Sequence, residues 1–154
     1  MRLVVQRVSR AAVRSDGVTL GEIGSGAVTL VGVAGDDTDD VADRMADKLV
    51  GLRYFTDADG RTNVAIGEAG GELLVVSQFT LYADVRRGRR PGFTDAAPPE
   101  HAEPLVERLV GRLRDAGLRV ATGRFGAAME LDLVNDGPFT LIIDSERDLA
   151  PESR

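Results

Sequence analysis

Short β-branched segments recur along most of this chain, whereas only two segments have helical spacing. Residues 3–8 and 11–14 have strand character, and residues 27–33 form a short apolar run bounded by glycines. Runs of this kind are typical of strands that are buried in a sheet. The order of segments predicts an α+β fold, with a mostly antiparallel or mixed β-sheet or a barrel-like core and two main helices. It disfavours a doubly wound parallel sheet.

Turn and capping signals place the first elements. Asp16-Gly17 predicts a tight turn that folds residues 12–15 against residues 18–23 as a hairpin. The acidic run at residues 36–40 predicts the start of a helix, because Asp and Thr side chains cap free amides and negative charge suits that end of the helix dipole. A stripe with helical spacing, typical of a core-facing surface, follows at Val41, Met45, Leu49 and Leu52.

Later in the chain, one more helix and several strands are predicted. The helix follows Pro98-Pro99, and Gly117 is placed to end it. Strands are predicted at residues 52–55, 73–76, 118–122, 129–134 and 139–144. Asn135-Asp136-Gly137-Pro138 is predicted to be the turn that joins the last two strands. From about Glu146 onward the polar tail is expected to be loosely ordered.

The chain length limits the number of domains. With 154 residues, one core buries enough apolar surface to offset the conformational entropy of folding, whereas two cores would each be too small. The 43% hydrophobic and 29% charged content argues against a disordered chain. Residues 1–154 are therefore predicted to be a single domain.

Composition excludes several kinds of chemistry. The sequence contains no cysteine, which rules out disulfides, thiolate nucleophiles and cysteine-ligated zinc. His101 is the only histidine, and a lone histidine before a helix is more often a surface residue than a base. No clustering of Asp, Glu and His resembles a metal site. We therefore expect neither a metal nor a cofactor.

The sequence also carries no membrane or export signal. Residues 1–7 reach a charge before an apolar signal-peptide core can form, and the apolar stretch at residues 27–34 is too short to span a bilayer. The absence of cysteine fits a reducing compartment. A soluble cytoplasmic protein without a membrane partner is expected.

The charge balance bears on nucleic-acid binding. A net charge of −6 disfavours broad attraction to phosphate, so any such binding must be local. The first basic run, interpreted as a solvated face, is Arg2, Arg7, Arg10 and Arg14. The second run packs four guanidiniums around one glycine: Arg86, Arg87, Gly88, Arg89 and Arg90. Mutual repulsion makes the second run unfavourable unless an anion binds there, so we interpret it as a candidate nucleic-acid contact.

Polar residues appear abruptly where the predicted strand at residues 73–76 ends. The segment Ser77-Gln78-Phe79-Thr80-Leu81 follows directly, and strand ends often carry functional sites. Two interpretations stay open. Ser and Thr can simply decorate the strand end, which spacing alone favours, or backbone amides there can stabilise a developing oxyanion. Gly137-Pro138 is equally open: an ordinary turn, or a rigid cis dipeptide whose carbonyls bind an ammonium group.

Five segments of the sequence, taken in order, resemble the D-aminoacyl-tRNA deacylase family, of the D-tyrosyl-tRNA deacylase type found in bacteria and eukaryotes. The resemblance covers nearly the whole chain. The segments are Met1-Arg2-x-Val4-Val5-Gln6-Arg7-Val8, Ser77-Gln78-Phe79-Thr80-Leu81-Tyr82-Ala83-Asp84, Arg90-Pro91-x-Phe93, Thr122-Gly123-x-Phe125-Gly126-Ala127-x-Met129 and Asn135-Asp136-Gly137-Pro138.

The resemblance implies a homodimer with its active sites at the subunit interface. The Gly137-Pro138 bond would be cis and inserted into the partner's pocket, where its carbonyls face the substrate's α-amino group and leave no room for an L side chain. Arg7 would fix the orientation of that motif. Removal of D-amino acids from the acceptor end of tRNA is the implied activity, and mischarged glycine is a further substrate to consider.

The resemblance also assigns roles around the scissile ester. Ser77, Gln78, Phe79 and Thr80 form the catalytic set, in which Gln78 and the Phe79 amide contact the carbonyl. Thr80 is not expected to be a nucleophile, because no neighbour in sequence would activate it. The 2′-hydroxyl of the terminal adenosine would assist instead, which makes RNA rather than DNA the partner. Phe125 and Met129 would border the adenine.

Two positions depart from the family pattern. Phe139 stands where a smaller β-branched residue is usual, and Gly92 stands where serine is common. Phe139 could alter the seating of the Gly137-Pro138 motif. Two other functions remain as alternatives: a noncatalytic RNA-binding module that uses the arginine run, and a sensor of free D-amino acids, which needs no such run.

Overall fold

Eight strands and three α-helices make up the part of the chain that the computed structural model describes, residues 1–151. The strands are β1 (Arg2–Ser15), β2 (Val18–Ile23), β3 (Gly26–Gly32), β4 (Arg53–Thr56), β5 (Thr62–Ala65), β6 (Glu72–Ser77), β7 (Val120–Thr122) and β8 (Glu130–Asp144). The helices are α1 (Asp39–Gly51), α2 (Pro99–Asp115) and α3 (Ser145–Asp148), and a 3₁₀-helix spans Phe79–Tyr82. The predicted α+β class is confirmed.

The main sheet is mixed and curls almost into a barrel. Its order is β2-β1-β3-β6-β7, and β8 pairs with the other edge of β1. The pairs that β1 makes with β2, β3 and β8 are antiparallel, whereas β3–β6 and β6–β7 are parallel. The curl brings β2 against β7, so that a Cβ added at Gly21 would lie 2.8 Å from the carbonyl oxygen of Thr122. The predicted mixed, barrel-like core is confirmed.

Side chains that alternate along the strands contribute to two apolar layers, one on each face of the sheet. From β3, Ala27 and Val31 join the layer beneath α1 and α2, while Val28 joins the layer inside the curled sheet. Leu49 of α1 and Leu109 of α2 are fully buried in the first layer. Burial of one such side chain is worth about 1.5–3 kcal/mol, so these layers hold α2 over the sheet.

Several local predictions are confirmed. The hairpin turn has positive φ at Asp16 (50°) and Gly17 (76°), as a tight two-residue turn requires. Thr38 caps α1 by accepting a hydrogen bond from the amide of Val41. Gly117, with φ of 89°, follows the end of α2. These signals depend only on neighbours in sequence, and the tertiary structure leaves them unchanged.

Residues 3–8 and 11–14 have the predicted strand character and belong to one continuous strand, β1. Two predictions about the chain path are wrong. Residues 129–134 and 139–144 belong to one strand, β8, rather than to two. Residues 135–138 therefore do not reverse the chain. The tail does not become loose at about residue 146, because Asp144 caps the short helix α3. Residues 152–154 of the predicted tail lie outside the described part.

None of the helices within residues 1–151 is both long and apolar enough to cross a membrane. No group of three or more His, Cys, Asp or Glu residues in this range is arranged to hold a metal ion.

Candidate active site

The candidate site begins where β6 ends. Ser77 is the last residue of β6 and lies opposite Val31 of the parallel neighbour β3. The amide of Gln78 donates to the carbonyl oxygen of Val31 at 2.8 Å, and the 3₁₀-helix starts at Phe79. This hydrogen bond is the last between the two strands. The polar residues that follow therefore lie at the carboxyl end of β6, where a ligand can reach them.

A cavity of about 600 Å³, here called the main cavity, opens at this end of β6. Its walls come from the ends of β3 and β6, the start of α2 and the segment before β8. Five predicted site residues line it: Ser77, Gln78, Phe79, Phe125 and Met129. Folding thus brings the predicted ester contacts and the predicted adenine contacts together. The volume is in the range of cavities that hold small molecules.

Thr80 is placed differently from the other members of the predicted catalytic set. It is exposed and lies outside the cavity lining. Its hydroxyl accepts a hydrogen bond from Nε2 of Gln78. Within residues 1–151, no imidazole or carboxylate hydrogen-bonds to that hydroxyl, so the fold provides no base to activate it.

Two other side chains near the site could carry a proton, His101 and Tyr82, and both are partly buried. His101 is half-buried rather than a free surface residue, and its Nε2 lies 2.9 Å from the carbonyl oxygen of Asp37. Burial, together with the charges of Asp37 and Asp144, raises the pKa of Tyr82 far above its usual range. Tyr82 therefore stays neutral near pH 7 and cannot act as a base.

Two aromatic rings stand at the mouth of the main cavity. Phe79 and Phe93 pack edge to face with their ring centroids 5.0 Å apart, and both line the cavity. They remain 57% and 39% exposed, unusually open for a packed aromatic pair. Phe93 was not predicted as a site residue, because the only signal was its position in the Arg90-Pro91-x-Phe93 segment.

The Gly137-Pro138 dipeptide projects from β8 as an excursion. Gln6 of β1 pairs with Thr140, and Val8 of β1 pairs with Asn135. β1 thus advances by two residues where β8 advances by five, and the extra residues of β8 bulge out of the sheet. The Gly137-Pro138 bond is cis, as the resemblance implies. Gly137 has φ of 130°, where a side chain would be strained. Neither residue lines the main cavity of its own chain.

Arg7 lies on β1 directly opposite this excursion and holds it. Its Nε donates to the carbonyl oxygen of Asp136 at 3.2 Å, and its Nη1 donates to the carbonyl oxygen of Tyr54 at 2.9 Å. The guanidinium also stacks over the Phe139 ring, 4.6 Å from its centroid. The unusual Phe139 therefore supplies a contact to Arg7.

Asn135 fixes the other side of the excursion. Its Oδ1 accepts from the amide of Phe139 at 2.8 Å, and its Nδ2 donates to Oγ1 of Thr140 at 3.1 Å. The sequence predicts Asn135 only as a turn residue. Its side chain in fact ties the two ends of the excursion together, which is a common use of asparagine beside a turn.

The basic run at the start of the chain is only partly a solvated face. Arg7 is 12% exposed, and Arg2 donates from Nη1 to the carbonyl oxygen of Leu81 at 2.7 Å and stacks over Tyr82. Arg2 thereby supports the 3₁₀-helix of the site. Arg10, at 65% exposure, fits the original interpretation. The prediction is therefore wrong for Arg2 and Arg7.

The second basic run forms an exposed loop beside the cavity. Arg86 already forms a salt bridge within the loop. It pairs with Asp84 at 2.7 Å and lowers the pKa of that carboxyl to about 2. Arg87, Arg89 and Arg90 are exposed and form no salt bridge with any residue of the described range 1–151. Three free guanidiniums thus face solvent.

Comparison with known sequences gives consistent matches. The family model described as D-Tyr-tRNA(Tyr) deacylase matches residues 4–144. The chain is 59% identical over 147 residues to the D-aminoacyl-tRNA deacylase of Symbiobacterium thermophilum, covering 96% of this chain and 97% of that one. It is 58% identical over 147 residues to the enzyme of the same name from Anaeromyxobacter dehalogenans, covering 96% and 99%.

Solved structures share the fold. A protein titled c-Myc DNA Unwinding Element Binding Protein superposes with a TM-score of 0.87 at 36% identity, covering 94% of this chain and 98% of that chain. A probable eukaryotic D-amino acid tRNA deacylase superposes with a TM-score of 0.81 at 20% identity, covering 92% and 97%. The second likeness concerns the fold alone.

Proposed function

The chain belongs to the D-Tyr-tRNA(Tyr) deacylase family and is a D-aminoacyl-tRNA deacylase, and from this we propose how its site works. It hydrolyses the ester between a D-amino acid and the terminal adenosine of tRNA and rejects the L-form. The observation that carries this proposal is the main cavity, which Ser77, Gln78 and Phe79 line together with Phe125 and Met129. Because its substrate is tRNA, the protein would act in the cytoplasm. Glycine wrongly attached to tRNA would fit the same site.

The ester carbonyl binds beside Gln78 and the backbone amide of Phe79. Gln78 keeps a free N–H, because its amide nitrogen carries two hydrogens and Thr80 accepts only one. Phe79 begins the 3₁₀-helix, and the first amides of a helix have no partner within it. These two donors would stabilise the oxyanion that forms in the transition state. Phe125 and Met129 supply an apolar surface for adenine.

The substrate supplies the remaining chemistry. The 2′-hydroxyl of the terminal adenosine lies next to the ester in any aminoacyl-tRNA and can donate or accept a proton. Water attacks the carbonyl carbon, the C–O bond to the ribose breaks, and the ribose oxygen takes up a proton. The residues of the cavity position the ester and stabilise charge without forming a covalent intermediate.

Replacing Thr80 with alanine tests this mechanism. We expect Thr80→Ala to keep deacylation within roughly tenfold of wild type, whereas loss of a true nucleophile costs on the order of 10⁶-fold. The modest loss follows from the hydrogen bond that Thr80 accepts from Gln78. Single-turnover decay of D-tyrosyl-tRNA measures it. Complete inactivation of a variant that unfolds at the wild-type temperature would make Thr80 the nucleophile.

Chiral selection comes from a second copy of the chain. Gly137-Pro138 is exposed, held by Arg7 and Asn135, and absent from its own cavity lining, so it is available to a partner's cavity. The outer face of the β1–β8 pair also exposes Val134 (40%) and Ile142 (57%). An apolar surface beside the dipeptide favours a homodimer in which each cavity receives the other subunit's carbonyls.

The exposed arginine loop is proposed to contact the phosphates of the acceptor end. Replacing Arg87, Arg89 and Arg90 together with glutamine should raise KM for tRNA. It should also reduce the slope of log affinity against log salt by about 0.7–0.9 per lost phosphate contact. Arg86→Gln is the matched control with a smaller effect, because Asp84 already pairs with Arg86. An unchanged salt slope in the triple variant would remove the loop from the tRNA interface.

The decisive test of the proposed function compares the half-lives of D-tyrosyl-tRNA and L-tyrosyl-tRNA with and without the protein, in the presence of a chelator. We expect accelerated decay of the D-form alone. Equal decay of both esters would contradict the function, and binding without decay would instead support a noncatalytic RNA-binding module. A sensor of free D-amino acids would keep its ligand affinity in the triple arginine variant.

A further inference from the structure

A second cavity of about 390 Å³, the side cavity, adjoins the main cavity. The two share Ser77, Val106 and Phe125 in their linings. We propose that the side cavity is a subsite for the penultimate nucleotide of the acceptor end, which is cytidine in every tRNA. This inference rests on the proposed function, because it takes the terminal adenosine to lie against Phe125. The nucleotide joined to that adenosine must then lie just beyond Phe125.

One face of α2 forms a long wall of the side cavity. The residues of this wall recur at helical spacing: Glu103, Val106, Glu107, Val110, Gly111 and Arg114. The lining combines the buried valines Val75 and Val110 with charged side chains that are exposed to solvent. An apolar lining with a few polar groups suits a nucleobase.

Gly111 is the smallest residue of this wall and lies inside the helix. A glycine inside a helix costs about 1 kcal/mol relative to alanine. No neighbour requires it, because a Cβ at Gly111 would meet nothing within 4 Å. Its φ is also not in the region that excludes side chains. A larger side chain at position 111 would therefore extend into open space along the wall of the side cavity.

The charged side chains of this lining match a cytidine nucleotide. Glu103 and Glu107 are exposed and form no salt bridge within the described range 1–151. A carboxylate accepts a hydrogen bond from the exocyclic N4 amine of cytosine, whereas uracil presents an acceptor, O4, at the same position. Arg124 lines the same cavity from outside α2, is exposed, and suits the phosphate that links the two nucleotides. Arg114 donates to the carbonyl oxygen of Val120 at 2.8 Å, which holds it beside the cavity.

The test uses three short D-tyrosyl esters of increasing length: the ester of adenosine, of the dinucleotide CpA and of UpA. For the wild-type protein we expect kcat/KM on CpA to exceed that on adenosine and that on UpA by about tenfold each. The CpA-to-UpA ratio reports recognition of the base, and the CpA-to-adenosine ratio reports binding of the whole added nucleotide. Because the ester is the same in each substrate, both ratios cancel effects on the chemical step.

Two variants and two matched controls probe the lining. Gly111→Leu fills the side cavity and should reduce the CpA-to-adenosine ratio to about one, while Gly51→Leu should keep it, since a Cβ at Gly51 also meets nothing within 4 Å. The double variant Glu103→Gln, Glu107→Gln should lose the preference for CpA over UpA, because an amide can donate to O4. Glu100→Gln, on the same helix but outside the cavity, should retain it.

The outcomes separate this inference from the proposed function. Equal wild-type rates on the three esters, or an unchanged ratio in Gly111→Leu, would overturn the subsite while leaving deacylation intact. Calorimetric titration with unacylated CpA and adenosine provides the second readout. Tighter binding of CpA, lost in Gly111→Leu, would support the subsite even if the protein did not hydrolyse D-tyrosyl-tRNA, which is the result that would overturn the proposed function.

Discussion

Replacing Gln78 with alanine is expected to lower kcat for D-tyrosyl-tRNA by roughly 10²–10³, the usual effect of removing one oxyanion donor. Gln78 is held for this role by two hydrogen bonds, from its backbone amide to Val31 at 2.8 Å and from its side chain to Thr80. Because the contact strengthens only as charge develops on the ester oxygen, KM should change little. Single-turnover decay and steady-state KM on D-tyrosyl-tRNA measure the two quantities.

Gln78→Glu is the matched control, since it keeps the size and shape of the side chain but replaces the donor with an acceptor. It should be at least as impaired as the alanine variant. Both variants should unfold at nearly the wild-type temperature, because residue 78 is only half-buried. Wild-type kcat in Gln78→Ala would leave the Phe79 amide and the substrate as the sole source of stabilisation and would contradict the role given to Gln78.

Replacing Arg7 with alanine is expected to reduce deacylation of D-tyrosyl-tRNA about 100-fold and to weaken the rejection of the L-form. The change removes both backbone contacts of the guanidinium, to Asp136 and Tyr54, and its stacking on Phe139. The excursion would then lose its fixed position, and a displacement of about 1 Å at a reacting site can cost 10²-fold. Arg7→Lys keeps the charge but not the planar fork, so it should recover only part of the activity.

A mixed dimer distinguishes this role from a general loss of structure. In the proposed arrangement, Gln78 serves its own subunit's cavity, whereas Arg7 holds the dipeptide that enters the partner's cavity. A dimer with one Gln78→Ala subunit and one Arg7→Ala subunit therefore contains one intact site and one doubly altered site. We expect such dimers to recover much of the activity that both homodimers lack. No recovery would contradict the exchange of dipeptides between subunits.

Local sequence signals predicted those parts of the fold that neighbours in sequence determine. Asp16-Gly17 gave the hairpin, and Thr38 with the acidic residues after it gave the start of α1. The end of β6 at Ser77 was also visible, because a run of buried aliphatic residues gives way to polar ones. The family resemblance, rather than spacing, linked Ser77 to Phe125, and the main cavity does bring those two residues together.

The path of β8 could not be predicted in the same way. Asn135-Asp136-Gly137-Pro138 has the composition of a turn, and a turn that reverses the chain contains the same residues as an excursion from a continuous strand. The difference depends on β1, which pairs on both sides of the excursion. A partner more than 120 residues away leaves no local signal.

Side-chain contacts to distant carbonyl groups were hidden for a related reason. Arg2 reaches Leu81, and Arg7 reaches Tyr54, but a run of arginines without acidic neighbours has the composition of a solvated surface. A backbone carbonyl acceptor can belong to any residue type. The phenyl pair of Phe79 and Phe93 likewise joins two loops whose proximity only the folded chain defines.

The central place of β1 in the sheet has a consequence for how the protein forms. β1 precedes the other strands of the described residues 1–151, yet its longest pairing is with β8, the last of these strands. Such distant pairing makes folding slow, and until β8 emerges from the ribosome one edge of β1 stays open to other chains. The strand that closes this edge is the one that carries Gly137-Pro138. A nascent chain therefore protects itself from aggregation and acquires its proposed means of chiral selection in the same step.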